Sequence, residues 1–321
     1  MLPLMQLTKD AESIVIAGHV RPDGDCIGSC LGMYNYLKKL VPGKKVDLYL
    51  EEVPKAFSFL KCSEEVKYIS EAKGRYDLFL ALDCGSIDRL GSLESLFLQA
   101  KTTVCIDHHI SNTEYAQYNH VESHASSTGE VLFGIFDTEL IDEAVAECLY
   151  LAIVHDTGVF KHSNTSKRTM EIAGALLEKG VSSSKVIDDS FYKKTYVQNQ
   201  LLGRCLLESI LLMDGKIIFS SVSKKMMELY GAVSSDLDGI IDQLRVTEGI
   251  EVAILLKEER PQQYKVSMRS NGKVDVCKIC CMFGGGGHVM AAGCSMNGSV
   301  HDVINNLSVQ IADQLSAKQE I

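Results

Sequence analysis

Aspartate and histidine side chains follow three apolar segments in the first half of the chain, at the point where each segment ends. His19 closes SIVIAGH, Asp83 follows LFLAL, and Asp107, His108 and His109 follow TTVCI. Such ionisable groups are costly to desolvate unless a charge or a hydrogen-bond partner offsets the cost. Carboxylate oxygens and imidazole nitrogens together suit a divalent ion such as Mn²⁺, with Mg²⁺, Co²⁺ and Zn²⁺ as alternatives.

Three more carboxylates extend this set. Asp23 and Asp25 lie in GHVRPDGDCIGS, and Asp156 lies in LAIVHDTGVF at the end of an apolar helical pattern. Any one of these residues alone could cap a helix or form a turn, and their recurrence is what indicates a site. So many Asp and His side chains in one crevice would repel one another without cations. Two metals about 3.5–4 Å apart would use them all, with one bridging carboxylate and an attacking hydroxide between the metals, an arrangement that hydrolyses phosphoryl groups.

The segments that position these residues predict an α/β fold. Apolar strand-like runs at 13–19, 45–50, 77–86 and 102–109 alternate with helical patterns such as 27–40. This alternation indicates a parallel sheet covered by helices on both faces. Ligands of such sheets bind outside the carboxyl ends of the strands, so we expect the Asp and His side chains to converge there. A helical stretch is also expected after Pro54.

The chain is expected to contain two domains. Residues 1–185 form the first, and a helical linker follows at 186–213. Three strand-like runs with helices between and after them predict a smaller α/β domain at 214–321.

Composition limits the partners. The net charge of −10 argues against binding long DNA or RNA, which relies on many Lys and Arg contacts to phosphates. It allows a short phosphorylated ligand if metals supply the positive charge. No apolar run approaches the ~20 residues that span a bilayer, and the start MLPLMQLTKD lacks the features of a signal peptide. We therefore expect a cytoplasmic protein that does not bind membranes.

Four motifs resemble those of the DHH phosphoesterase superfamily, over roughly residues 14–180. They are HVRPDGDCIGS, LDCGS, IDHH and VHDTGVF, in that order. The resemblance implies two metal-ligand sets that share Asp83 as the bridging residue. The first set is His19, Asp23 and Asp83, and the second set is Asp25, Asp83, His108 and Asp156.

The same resemblance implies that His109 contacts the substrate phosphate and assists the leaving group. Asp107 is expected to support the site, either by orienting a histidine or by contacting metal. His155 neighbours Asp156, but adjacent residues of a helix point in different directions, so its role is left open.

A glycine-rich segment, FGGGGHVMAAGC, spans residues 283–294. Glycines let the backbone approach a ligand closely, and no Lys-Ser/Thr pair follows them, so the segment is interpreted as a loop other than a P-loop. It resembles the signature of the DHH-associated C-terminal domain, which holds substrate. The resemblance implies phosphate or nucleotide contacts from His288 and from Gly285, Gly286 and Gly287.

Two arginines are candidate substrate ligands, because Arg binds phosphate through bidentate hydrogen bonds. Arg269 in SMRS resembles the substrate-binding arginine of the family, and Arg245 is the weaker candidate.

The cysteines of this chain are predicted to be reduced and packed. Cys277 and Cys280 form a C-x-x-C within CKICC, with Cys281 beside them. A zinc or redox site there is the alternative, but no second C-x-x-C completes it, so we favour a helix with small apolar positions. Cys26 and Cys30 are likewise interpreted as packing residues.

The whole chain resembles the two-domain group of bifunctional oligoribonucleases that also dephosphorylate 3′-phosphoadenosine 5′-phosphate (pAp). The resemblance implies hydrolysis of short RNA and of phosphorylated adenosine nucleotides, with two divalent ions, preferably Mn²⁺ and otherwise Mg²⁺ or Co²⁺. A phosphodiesterase of pApA or cyclic-di-AMP is the nearest alternative. A nucleotide sensor without turnover is disfavoured by the full ligand set. By family analogy, we expect a homodimer.

Overall fold

The apolar runs of the first half form a six-stranded sheet in the computed structural model, which describes residues 3–317. Its strands are β1 (Ser13–Ala17), β2 (Lys45–Leu50), β3 (Lys67–Tyr68), β4 (Leu78–Leu82), β5 (Thr102–Asp107) and β6 (Tyr118–Val121). They pair in the order β3-β2-β1-β4-β5-β6, and every pair is parallel. The parallel sheet expected from the sequence is confirmed, whereas the short strands β3 and β6 were not predicted.

The first unit of the chain ends at Lys193, and four of its α-helices follow the last strand, β6. Its helices are α1 (Leu4–Asp10), α2 (Gly24–Leu40), α3 (Glu94–Gln99), α4 (Thr128–Ile135), α5 (Glu143–Asp156), α6 (Lys167–Glu178) and α7 (Ser183–Ile187). The prediction of a helix after Pro54 is wrong, since that region contains only single 3₁₀ turns at Lys55–Phe57 and Ser63–Glu65. Cys62 adopts a left-handed backbone there (φ 64°), which a right-handed helix cannot include.

Alternate residues of the strands pack on opposite faces of the sheet. Ile14 and Ile16 of β1 join a core with α2, α4 and α5, whereas Val15 and Ala17 join a second core on the α3 side. Both faces are therefore buried, as the continuous apolar runs predicted.

The second unit begins at Lys194. Its strands are β7 (Ile210–Leu212), β8 (Ile217–Val222), β9 (Val252–Arg260), β10 (Gln263–Ser270), β11 (Gly286–His288) and β12 (Ala291–Asn297). Its helices are α8 (Tyr196–Leu207), α9 (Lys224–Tyr230), α10 (Ile240–Arg245), α11 (Val276–Met282) and α12 (Val300–Ala317). The strands form one mixed sheet in the order β11-β12-β10-β9-β8-β7, in which only β8 and β9 pair in parallel.

The two faces of this sheet are covered unequally. Side chains of β9, β10 and β12 pack on one face against α11 and α12. On the other face, the apolar core takes side chains from β8, β9 and the helices α8, α9 and α10, but none from β10, β11 or β12. On this face, the strands β10, β11 and β12 are therefore available to carry polar side chains.

The glycine-rich segment and the region 186–213 each contain a strand that was not predicted. Residues 286–288 of the expected glycine-rich loop are a strand, β11, because their backbone pairs with β12. The expected helical linker, 186–213, contains α8 but ends in strand β7, so the domain boundaries stay a prediction. Among residues 3–317, no helix is both long enough and apolar enough to cross a membrane.

Candidate metal centre

Three neighbouring strands end at the same edge of the first sheet and carry the predicted residues. His19 lies two residues beyond β1, Asp83 directly follows β4, and Asp107 is the last residue of β5. The strand order reverses between β1 and β4, which is where ligands of doubly wound sheets bind.

Asp83 is at the centre of the cluster. Its Oδ2 lies 3.5 Å from His19 Nε2, and its Oδ1 lies 3.7 Å from His108 Nε2 and 3.6 Å from His109 Nδ1. The side chain is only 2% exposed. Its backbone is left-handed (φ 52°), a strained conformation for aspartate of the kind that clusters at functional sites.

Backbone carbonyls set the proton positions on two of these histidines. His19 Nδ1 lies 2.9 Å from the Val20 oxygen, and His108 Nδ1 lies 3.3 Å from the Ala125 oxygen. Because a carbonyl oxygen only accepts, each Nδ1 must donate, so the neutral form of each ring has its Nε2 lone pair near Asp83, whereas the protonated form donates from Nε2. Histidines that bind metals are oriented in this way.

Potential ligand atoms form three groups in residues 3–317, and one of them is the set of Asp83, His108 and His109 described above. In the Asp25 position, which we define by Asp25, His108 and Asp156, His108 Nε2 lies 3.6 Å from Asp25 Oδ2 and 3.4 Å from Asp156 Oδ2. The remaining group, which we call the His19 position, consists of an imidazole nitrogen of His19, a carboxylate oxygen of Asp83 and the Sγ atom of Cys26. Within each position, the ligand atoms lie within 4.8 Å of one another.

Asp23 lies at the rim of the His19 position. Its Oδ1 accepts hydrogen bonds from the backbone N–H groups of Asp25 and Cys26 and so caps α2, each at 3.1 Å. Its Oδ2 lies 3.8 Å from His19 Nε2, and the side chain is 62% exposed. The Oδ1 atom therefore caps the helix, while the Oδ2 atom faces the His19 position and can bind a ligand there.

The carboxylate of Asp25 is held by groups that the sequence analysis missed. The backbone N–H groups of Thr128 and Gly129 donate to its two oxygens at 2.7 and 3.1 Å, and Ser29 Oγ donates at 2.9 Å. The Thr128 hydroxyl also donates to Asp83 Oδ1 at 3.0 Å. The first turn of α4 thus holds a carboxylate from each ligand set, and only the cap-like SST at 126–128 hints at a helix start there.

Asp107 is fully buried and lies behind His109. Its Oδ1 accepts from the His108 backbone N–H at 2.8 Å and from His109 Nδ1 at 2.7 Å, while its Oδ2 accepts from Asn112 Nδ2 at 2.6 Å. None of the donor groups found in residues 3–317 includes Asp107. Of the two predicted roles, the geometry favours orienting a histidine.

The charges in the cluster shift each other's ionisation. Burial raises the pKa of Asp25 well above its usual value, and repulsion from nearby aspartates adds to the shift. Burial also raises the pKa of Asp156, to about 6. Burial has the same tendency at Asp83, but its hydrogen bond with His19 and the charges of His108 and His109 lower its pKa overall. Crowded carboxylates that favour protons in this way, together with free Nε2 atoms, fit divalent cations.

His155 belongs to none of the groups of metal donors found in residues 3–317. Its ring lies between the aromatic rings of Phe57 and Phe191, with centroids 5.1 and 5.5 Å away, and burial lowers its pKa to about 4. A Cβ atom on Gly24 would lie 2.1 Å from its Cγ, so glycine is required at the start of α2.

Two predicted substrate ligands occupy one row of the second sheet. Arg269 on β10 and His288 on β11 are both paired with Ala291 on β12. Residues opposite one another in antiparallel strands share a face, so both side chains lie on the same face as Ala291, and two ideal strand spacings would put their Cα atoms about 9.5 Å apart. This is the face where β10, β11 and β12 contribute nothing to the apolar core.

Arg245 and Arg269 both lie near the carboxylate of Asp242. Asp242 Oδ1 is 3.4 Å from Arg269 Nε and 4.0 Å from Arg245 Nε, and Arg245 also donates to Asn271 Oδ1 at 2.9 Å. Arg269 is therefore placed on the sheet face itself, and Arg245 at its helical border.

The three glycines at 285–287 of the glycine-rich segment differ in how much space surrounds them. A Cβ atom would lie 2.2 Å from the Gly293 oxygen at Gly285, and 2.5 Å from the Ala291 oxygen at Gly287, so both are needed for packing on β12. At Gly286 a Cβ atom would meet nothing within 4 Å. Only Gly286 is open to a ligand among the three.

The C-x-x-C segment lies on helix α11, as predicted, but the prediction that its cysteines are packed is wrong for Cys281, which is exposed, and Cys277 is only half-buried. Cys280 is fully buried, and Cys277 Sγ donates to the Gly287 oxygen at 3.0 Å. In the described part of the chain, no group of three metal donors includes Cys277, Cys280 or Cys281.

Two family models match the chain. The DHH family, N-terminal domain, matches residues 13–153, and the DHHA1 domain matches residues 215–317. The bifunctional oligoribonuclease and PAP phosphatase NrnA of Thermus thermophilus is 31% identical, over 89% of this chain and 84% of the relative. The protein of the same name from Bacillus subtilis is 26% identical, over 89% of this chain and 90% of the relative.

A solved structure shares the fold. An exopolyphosphatase-related protein from Bacteroides fragilis superposes with a TM-score of 0.85 at 22% identity. The match covers 98% of this chain and 96% of that protein.

Proposed function

Because the chain belongs to the DHH family, we propose that it hydrolyses very short RNA to nucleoside 5′-monophosphates and pAp to AMP and phosphate. The chain is a phosphoesterase by its family, and the two relatives carry both proposed activities in their names. The DHH match contains the proposed residues from His19 to His109, and the DHHA1 match contains Arg245, Arg269 and His288, while Asp156 lies three residues beyond the DHH match.

One observation carries the proposal: Asp83 lies between the free Nε2 atoms of His19 and His108. A carboxylate in that place has one oxygen for each of two cations, which is what a bridging ligand needs. We propose that His19, Asp23 and Asp83 hold one divalent ion, and that Asp25, Asp83, His108 and Asp156 hold the other.

Mn²⁺ is the proposed ion, because oxygen and imidazole donors dominate both sets. The chemistry that such ions supply is polarisation of phosphoryl oxygens and generation of a nucleophile from water at neutral pH. The chain itself orients the donors, through the Thr128 and Ser29 hydrogen bonds to the carboxylates.

His109 is proposed to contact the phosphate and to donate a proton to the leaving group. Its Nδ1 is occupied by Asp107, so Nε2 is the atom that would reach the substrate. General acid catalysis from such a group contributes on the order of 10²–10⁴ in rate.

The second unit is proposed to bind the nucleotide through Arg269 and His288, with Arg245 in a supporting position. The shared row of the sheet supports this assignment, since both cationic or polar side chains flank one small residue on a face where β10, β11 and β12 add no side chain to the apolar core. The net charge of −10 supports short substrates, which need few phosphate contacts. The predicted homodimer stays a prediction.

A substrate panel tests the proposal. With Mn²⁺ present, one preparation is assayed against pAp, RNA of about two to five nucleotides, pApA and cyclic-di-AMP, and kcat/KM is ranked. We expect pAp and short RNA to rank first. A higher kcat/KM for pApA or cyclic-di-AMP would instead favour the phosphodiesterase alternative, and no turnover of any of the four would reject the enzyme.

A further inference from the structure

A cysteine thiol belongs to the His19 position. The Sγ atom of Cys26, an imidazole nitrogen of His19 and a carboxylate oxygen of Asp83 all lie within 4.8 Å of one another. All three side chains are buried, and Cys26 is 0% exposed. The Asp25 position, in contrast, contains only oxygen and nitrogen donors.

Local structure places this thiol beside His19. Cys26 is in the first turn of α2, where its backbone N–H donates to the capping Asp23 at 3.1 Å. Its Sγ lies against Gly18, the residue before His19, where a Cβ atom would come within 2.1 Å of the sulfur. Glycine at position 18 is therefore what allows the sulfur to approach the strand end that carries His19.

The neighbouring thiol provides a contrast. Cys30 lies one turn further along α2 and is also 0% exposed. It belongs to none of the donor groups found in residues 3–317. Packing alone accounts for Cys30, whereas the sequence analysis assigned packing to both cysteines.

We propose that Cys26 is a sulfur ligand of the ion held at the His19 position, an inference that rests on the proposed metal centre. On binding, the S–H bond breaks, the sulfur lone pair goes to the ion, and the proton leaves to solvent. A nitrogen, sulfur and oxygen donor set suits Zn²⁺ and Co²⁺ better than Mn²⁺ or Mg²⁺, because thiolates select softer ions. The two positions of the centre therefore differ in ion preference.

Cobalt absorption tests the assignment on the full chain. Sulfur bound to Co²⁺ produces a charge-transfer band in the near ultraviolet that nitrogen and oxygen ligands do not. We expect the band in the wild-type protein and in the matched control Cys30→Ser, and its loss in Cys26→Ser. In this test, wild type means the chain with Cys277→Ser and Cys281→Ser as its only substitutions, and both variants are made in that background. The half-buried Cys277 and exposed Cys281 thiols of α11 therefore cannot contribute. A band that persists in Cys26→Ser, or its absence in wild type with Co²⁺ bound by calorimetry, would overturn the proposal.

Affinity gives a second readout. The ratio of Co²⁺ affinity to Mn²⁺ affinity, measured by calorimetry, is expected to fall roughly tenfold or more in Cys26→Ser, and to stay unchanged in Cys30→Ser. An unchanged ratio in Cys26→Ser contradicts the inference.

A measurement that needs no change at Cys26 covers the case in which that variant does not fold. X-ray absorption of the Zn²⁺-loaded protein, in the same Cys277→Ser and Cys281→Ser background, should show a sulfur shell at about 2.3 Å. Only nitrogen and oxygen neighbours at about 2.0–2.2 Å would reject the sulfur ligand. A sulfur signal without turnover of any nucleotide retains this inference and rejects the proposed function, and turnover without the signal does the reverse.

Discussion

His109 Nδ1 lies 2.7 Å from Oδ1 of Asp107, a carboxylate that solvent does not reach. Asn112 holds the other oxygen of Asp107 at 2.6 Å, so the carboxylate cannot turn without losing a hydrogen bond. This relationship holds the ring of His109 beside Asp83. It supports the proposed roles, in which Asp107 positions the imidazole and His109 contacts the substrate.

Replacing Asp107 should therefore reduce turnover without removing metal. We expect Asp107→Asn to lower kcat on pAp by on the order of 10²-fold, since a mispositioned acid loses most of its effect. The affinity for Mn²⁺, measured by calorimetry, should change little, because Asp107 lies outside the donor groups.

The double variant Asp107→Asn/His109→Gln provides the control. Residues that act as a unit are non-additive, so the double variant should be about as slow as His109→Gln alone. Independent, additive losses would show that Asp107 acts by another route.

The Thr128 hydroxyl should contribute to metal affinity through Asp83. Thr128→Val keeps the shape and the backbone bonds to Asp25 but removes a hydrogen bond to a buried carboxylate, worth about 1.5–3 kcal/mol. We expect Mn²⁺ affinity to fall roughly 10–100-fold, and Thr128→Ser to restore it.

Thr8 offers a matched control for that change. It is fully buried in the same unit, and its hydroxyl donates only to backbone oxygens of α1. Thr8→Val should leave Mn²⁺ affinity unchanged. Equal losses in Thr8→Val and Thr128→Val would mean that general destabilisation, not orientation of Asp83, is the cause.

Much of this centre could be predicted from residue types and periodicity. Apolar runs predicted the positions of β1, β2, β4 and β5, and parallel strands end at one edge, so His19, Asp83 and Asp107 were expected at that edge, while their adjacency depends on the strand order that the structure reveals. The partners of Asp25 could not be predicted in this way. Backbone N–H groups such as those of Thr128 and Gly129 are present in every residue type, so only the fold reveals which of them face a carboxylate.

The glycine-rich segment shows the opposite error. Glycine is depleted in strands, so GGGGH favours a loop by composition. The structure makes residues 286–288 a strand, because Gly285 and Gly287 allow a close approach to β12 that no side chain permits. Tertiary pairing overrides the local preference there.

This difference between the glycines is measurable. Gly285→Ala should lower the free energy of unfolding by about 1–3 kcal/mol, since its Cβ atom would meet the Gly293 oxygen. Gly286→Ala, the matched control, should leave that free energy nearly unchanged, as followed by urea denaturation. If substrate approaches the backbone at Gly286, the same variant should raise KM for pAp. Equal stability of both variants would contradict the packing account.

Arg269 should act on binding and not on chemistry. We expect Arg269→Ala to raise KM for pAp by roughly 10–100-fold, the value of a hydrogen bond to a charged group, with kcat nearly unchanged. Lys265 is the control, because it is a cation on the same face of β10 that lies four residues away and is exposed. A fall in kcat alone for Arg269→Ala, or an equal KM rise for Lys265→Ala, would argue against this role.

The central claim is that Asp83 bridges two divalent ions. Calorimetric titration with Mn²⁺ tests it directly, comparing wild type with Asp83→Asn. Asp47→Asn is the control, since Asp47 is also a buried carboxylate of the same sheet but hydrogen-bonds Lys67 and Tyr76. We expect two Mn²⁺ ions per chain in wild type and in Asp47→Asn, and weakened binding of both ions in Asp83→Asn. Retention of two ions at wild-type affinity in Asp83→Asn would contradict the bridging role.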